Sequence, residues 1–161
     1  MSDHPATVAH VDLARYMGAW YEIARLPMRF EPEDATDISA HYALQDDSKV
    51  EVRNRMRRGG EVEEATGEAS AVDESGSRLE VSFLPQGLRW IPFTKGDYWI
   101  LALAPDYSVS LVGSPDRKYL WLLSRTPELD ATTREHYLAI ARQRGFDLAP
   151  LIHTPHTGQP T

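Results

Sequence analysis

The sequence predicts an all-β fold, a sandwich or a barrel, followed by one late helix. Two observations carry this. Segments rich in aliphatic and aromatic residues are broken by turn-forming residues every 8–12 positions or so, the spacing of such folds. After Pro127 the hydrophobic period then changes once, from strand-like to helical.

The predicted strands are Ala19–Met28, Asp37–Leu44, Lys49–Arg57, Glu61–Ala71, Arg78–Leu84, Asp97–Ala104, Tyr107–Gly113 and Tyr119–Arg125. Between them lie Gln45-Asp46-Asp47-Ser48, Arg58-Gly59-Gly60, Asp73-Glu74-Ser75-Gly76-Ser77, Pro105-Asp106 and Ser114-Pro115-Asp116-Arg117. These are turn formers for physical reasons: Gly tolerates positive φ, Pro fixes φ, and Asp and Ser hydrogen-bond their own backbone. Antiparallel strands joined by tight turns meet the requirement of an eight-stranded antiparallel up-and-down β-barrel, whose closure removes the exposed sheet edges.

Ala131–Arg144 carries Tyr137, Leu138 and Ala141 at helical spacing, with Asp130 placed to cap the start and Gly145 the end. Phe146, Leu148, Leu151 and Ile152 suggest a short ninth strand or an extended segment. The expected organisation is a flexible N-terminal segment over residues 1–10, one domain over 11–153, and a tail over 154–161.

Composition narrows the function classes. With 161 residues, 42% of them hydrophobic and 25% charged, the chain is large enough for a real core. A net charge of −7 argues against nucleic acid, which needs a clustered positive face. Arg53, Arg55, Arg57 and Arg58 form a local basic run, either a solvated rim or a surface for anionic headgroups. The sequence holds no cysteine, so neither disulfides, nor a thiol nucleophile, nor a lipid-modified Cys is expected. Residues 1–7 lack the basic and apolar regions of a signal peptide. Two settings follow: a cytosolic protein, or a trimmed one at the periplasm or outer membrane.

The segment Gly18-Ala19-Trp20-Tyr21-Glu22-Ile23-Ala24-Arg25 resembles the N-terminal motif of the lipocalins, most closely that of their bacterial Blc-like branch. Leu120-Trp121-Leu122-Leu123-Ser124-Arg125-Thr126-Pro127 is similar to the third family motif. The preceding Gly113-Ser114-Pro115-Asp116-Arg117-Lys118-Tyr119 is typical of the Blc-like branch. Pro105-Asp106-Tyr107 stands where the family carries Thr-Asp-Tyr, so this match departs at its first position. The resemblance spans almost the whole chain. It implies a barrel cavity, or calyx, with Gly18, Trp20 and Arg125 as its structural base, the Arg125 guanidinium lying on the Trp20 indole.

With Arg125 pointing inward, strand alternation places Leu123, Trp121 and Tyr119 inside and Leu120 and Leu122 outside, under the helix. The same parity puts inside Tyr42 with Ala40 and Ile38, Asn54 with Val52 and Val50, and Phe83 with Val81 and Leu79. On the Asp97–Ala104 strand, Tyr98, Ile100 and Ala102 are expected inside, with Trp99 and Leu101 outside. Small residues Ala24, Gly67 and Ala69 are expected to leave the lumen open. The candidate ligand-binding residues are Tyr42, Asn54, Phe83, Tyr98, Ile100, Tyr119 and Trp121. They suit an elongated apolar ligand with a modest polar end. As the resemblance implies, that ligand is a fatty acid, a lysophospholipid or a related lipid, bound without a cofactor.

The apolar loop Leu84–Phe93 either tucks against the wall or offers Leu88, Trp90 and Phe93 to ligand, a membrane surface or a second subunit. No nucleophile elbow, phosphate loop or dinucleotide fingerprint is present. The histidines are poorly placed for a metal, since Pro155 separates His153 from His156. No catalytic residue is assigned. Two alternatives stand beside the carrier: an enzyme of the calyx using Glu22 or Tyr119 as acid or base, and an interaction module using the 88–93 loop.

Overall fold

A computed structural model describes residues 4–27, 35–45, 49–58, 60–83 and 95–157, with Phe83 and Lys95 described by their backbone alone. The Leu84–Phe93 loop expectation and the Phe83 side chain therefore lie outside the described residues. The order is α1 (Leu13–Tyr16), β1 (Gly18–Arg25), β2 (Thr36–Leu44), β3 (Val50–Arg58), β4 (Glu61–Ala71), β5 (Arg78–Phe83), β6 (Lys95–Leu103), β7 (Val109–Gly113), β8 (Leu120–Ser124), α2 (Ala131–Gln143) and β9 (Ile152–His153). From β1 to β8 each strand pairs antiparallel with the next, and β1 pairs with both β8 and β2. That double pairing closes an eight-stranded up-and-down barrel. β9 joins β1 at Ala24 and Arg25, where β2 no longer pairs with it.

Alternation sorts the apolar residues into two cores. The inner one holds Trp20, Ala40, Tyr42, Val50, Val52, Ala69, Leu79, Val81, Ile100, Val112 and Leu123, with Tyr98 and Trp121 packed on it. The outer one holds Leu101, Leu111, Leu120 and Leu122 against Tyr137, Leu138 and Ala141 of α2. Asp130 accepts from the Thr133 backbone N–H, and Gly145 at φ 91° ends the helix as expected. Tyr107, expected in a strand, lies in a turn at φ 60°, held by its N–H to the Ala104 carbonyl.

Two inward assignments are corrected by β-bulges. A register shift between Glu22 and Ala24 places Ala24 in the outer core. A second shift between Ile100 and Ala102 puts Ala102 outside and brings Leu103 to the inner core. An extra residue in one strand reverses the facing of everything beyond it.

The described parts of both terminal segments are hydrogen-bonded to the barrel. The Val8 N–H donates to the Ile100 carbonyl at 2.9 Å, and the Arg144 guanidinium reaches the Ala6 carbonyl at 2.7 Å. At the other terminus, the Asp37 N–H donates to the Pro155 carbonyl at 2.9 Å and the Thr157 N–H to the Asp37 carboxylate at 2.8 Å. Residues 154–157 thus continue β9 across to the start of β2, where β1 and β2 have parted.

Leu138 is buried between helix and barrel, whereas Val72 is 57% exposed. Leu138→Ala is expected to cost about 2–5 kcal/mol in urea unfolding, and Val72→Ala to stay within about 0.5 kcal/mol.

Candidate functional site

One end of the barrel is sealed from the sequence upward. Asp12 caps α1 through the Ala14 N–H. This short helix lies beneath the wall, with the Arg15 guanidinium 4.1 Å from the Tyr107 ring centre. Gly18 starts β1 at φ 101°, a conformation that side-chain-bearing residues rarely adopt. A Cβ there would stand 3.3 Å from Arg125 Nη1. Trp20 follows, fully buried, its indole N–H donating to the Tyr16 carbonyl at 2.8 Å.

Arg125 completes the floor, with its Cζ 3.8 Å from the Trp20 ring centre. Its guanidinium donates to the carbonyls of Tyr107, Ala19 and Arg15 at 3.1, 2.9 and 2.9 Å. One side chain thus ties together the β6–β7 turn, β1 and α1. The cation–π contact adds about 0.5–2 kcal/mol.

Above the floor, three phenols meet. Tyr16 Oη lies 2.8 Å from Tyr98 Oη and 2.7 Å from Ser110 Oγ, and the Tyr42 hydroxyl donates to Tyr98 at 3.0 Å. Burial pushes the Tyr16 hydroxyl up to about 12, against its hydrogen bonds to Ser110 and Tyr98 and the pull of Arg125. Burial likewise holds Tyr42 and Tyr98 well above the usual phenol range. The three hydroxyls therefore remain neutral donors at ordinary pH.

Higher on the wall, Tyr119 and Trp121 stack with ring centres 6.1 Å apart at 12°. Asn54 stands opposite Ala40 in the register, on the inner face. Asn54, Tyr98, Tyr119 and Trp121 are each half-buried. The structure brings Tyr42, Tyr98 and Ile100 together low in the barrel. Tyr119 and Trp121 form a separate aromatic pair towards the mouth.

Two groups were not anticipated as parts of clusters. Tyr16 completes the phenol cluster, and its only sequence signal was its place in the amphipathic run before Gly18. Glu22 and Arg25 form a buried ion pair at 3.1 Å, and the Thr154 hydroxyl donates to the same Glu22 oxygen. The Nε2–H of His156 donates to the Glu22 carbonyl at 2.7 Å. Burial raises the Glu22 pKa, with Arg25 working against the rise.

Arg53, Arg55 and Arg57 of β3 face outward, while Arg58 at the strand end has the opposite parity. Arg53 pairs with Glu51 at 2.7 Å and Arg55 with Glu64 at 2.6 Å, beside an external groove of about 300 Å³ lined by Tyr21, Ser39 and His41. Arg57 lies 3.9 Å from Asp37, so the three outward charges stand beside carboxylates, as on a solvated face. Among the described residues, no three His, Asp or Glu side chains gather as a metal site.

The model of the lipocalin-like domain matches residues 11–156. The chain is a lipocalin. Temperature-induced lipocalin-1 of Arabidopsis thaliana is 38% identical over 156 residues, which cover 95% of this chain and 83% of that protein. The outer membrane lipoprotein Blc of Escherichia coli K12 is 36% identical over 154 residues, 94% of this chain and 82% of the relative. Among solved structures, insecticyanin from the tobacco hornworm Manduca sexta superposes with a TM-score of 0.73 at 20% identity, covering 98% of this chain and 87% of that one. This last likeness concerns the lipocalin fold alone.

Arg125→Ala is expected to lower stability by about 1–3 kcal/mol, through loss of the indole contact and of the carbonyl bonds. The phenols set an alkaline limit. Because their folded pKa values lie above the ordinary 10.0, their contribution is whole below pH 10 and fades as pH climbs towards about 12. Ultraviolet titration should find at least three of the seven tyrosines still protonated at about pH 11, with stability falling over the same interval.

Proposed function

We propose that this lipocalin binds and carries small lipids, fatty acids or lysophospholipids among them, in its barrel lumen. The observation that carries the reading is an inward wall of aliphatic and aromatic side chains, several with accessible surface, standing on a sealed floor. Such a cup buries an alkyl chain and leaves one route in. The wall residues in this reading are Tyr42, Asn54, Tyr98, Ile100, Tyr119 and Trp121, with Phe83 as an expectation from its strand. Gly18, Trp20 and Arg125 act as the base. The relatives that are outer membrane lipoproteins support a setting at the bacterial envelope.

Catalysis through Glu22 finds no support in the geometry. Its carboxylate is held by Arg25 and Thr154, away from solvent, and serves the junction between β1 and the C-terminal segment.

The test is a fluorescence titration of the delipidated protein with saturated fatty acids of ten to sixteen carbons. Emission should change on binding, and Trp121→Phe should remove most of that change. Affinity should rise about fourfold for each added CH₂, the equivalent of about 0.8 kcal/mol. A folded protein that responds to no chain length would defeat the proposal.

A further inference from the structure

Resting on the carrier reading, we infer that the lumen floor receives the carboxylate of a fatty acid, its chain running up towards the mouth. The argument is a count of protons. Tyr16, Tyr42, Tyr98 and Ser110 bring four hydroxyl protons, and three hydrogen bonds join their four oxygens. Each bond uses one proton, whichever way it runs. None of the four side chains makes a further hydrogen bond among the described residues. One proton is therefore always left without an acceptor among the four.

That proton has a preferred place. Ser110 is fully buried, and Tyr16 and Tyr42 nearly so, while Tyr98 alone of the four is half-buried. If Ser110 donates to Tyr16 and Tyr16 to Tyr98, then Tyr98 accepts twice, and its own O–H is the spare one, at the lumen surface. In the empty cup only water can answer that donor, so a ligand that displaces the water is favoured when it supplies lone pairs in its place.

Charge selects among such ligands. Arg125 is bonded to backbone carbonyls and an indole face, and no carboxylate among the described residues pairs with it. Glu22, the acid on the inner face of β1, is already held by Arg25. The floor thus combines a spare donor with an unbalanced positive charge beneath it. A carboxylate answers both. An alcohol accepts the spare proton but brings one of its own, so the surplus returns. A lysophospholipid carries its carbonyl mid-molecule behind a bulky charged head, and that head has to stay at the mouth.

Two measurements decide it. Hexadecanoic acid labelled with ¹³C at the carboxyl or at the terminal methyl is bound to the delipidated protein, and a soluble paramagnetic chelate is added. The carboxyl resonance should broaden less than the methyl resonance. The reverse order would overturn the assignment and leave the carrier reading standing. In parallel, Tyr42→Phe/Tyr98→Phe removes both hydroxyls nearest the lumen. Hexadecanoic acid should lose about ten- to hundredfold in affinity, since bonds to a charged acceptor are the strong ones. Hexadecanol and hexadecanoyl-lysophosphatidylcholine should change less than about threefold, the scale of a lost weak contact. Equal losses for all three would overturn the proposal. If the double variant does not fold, the labelling experiment on the unaltered protein decides alone. Failure of all three lipids to bind the unaltered protein would instead remove the carrier reading itself, and the floor assignment with it.

Discussion

The seat of Arg125 on Trp20 is the constraint from which the rest of this barrel can be understood. A closed sheet of eight strands has two open ends, and a cup needs one of them blocked without filling the middle. Trp20 does the blocking because it is wide and flat. Arg125 holds it flat, and its remaining donors reach three carbonyls from separate parts of the chain. The motifs at the two ends of the sequence are therefore halves of one object. Everything above the indole is free to be wall, and the phenol cluster rests directly on this support, with Tyr16 4.9 Å from Trp20.

Strand parity made much of the structure legible in advance, because one inward residue fixes the facing of its whole strand. From Arg125 the assignment of Leu123 and Trp121 to the inside and Leu120 and Leu122 to the outside follows at once, and the two cores divide accordingly. The same rule misplaced Ala24 and Ala102, each just past a bulge. Nothing in the local sequence marks these bulges with Gly or Pro. They arise from the need to bend β1 and β6 around a closed barrel, which is a property of the whole sheet.

The termini were illegible for a related reason. His153 to Thr161 has the composition of a tail, rich in Pro and Thr. The placement of residues 153–157 comes from a gap that exists only once β1 and β2 have diverged. There the Glu22 ion pair, Thr154, His156 and Asp37 find one another. A buried ion pair gives little net stability, yet removing one partner strands the other in the wall. Its value here lies in fixing which segment occupies the gap.

That junction has a consequence for the order of events in folding. Glu22 meets Thr154 across 132 residues of chain, and Tyr21 of β1 meets Ser124 of β8 across 103. The first strand to leave the ribosome is thus among the last to be completed on both its edges. Successive hairpins from β2 to β8 can assemble as neighbours, but β1 stays half-paired until the final residues arrive. Folding of this kind is rate-limited by long-range loop closure. The nascent chain must keep an unsatisfied, aromatic-rich edge from meeting other chains, so completion of the cup waits for the segment that carries Thr154.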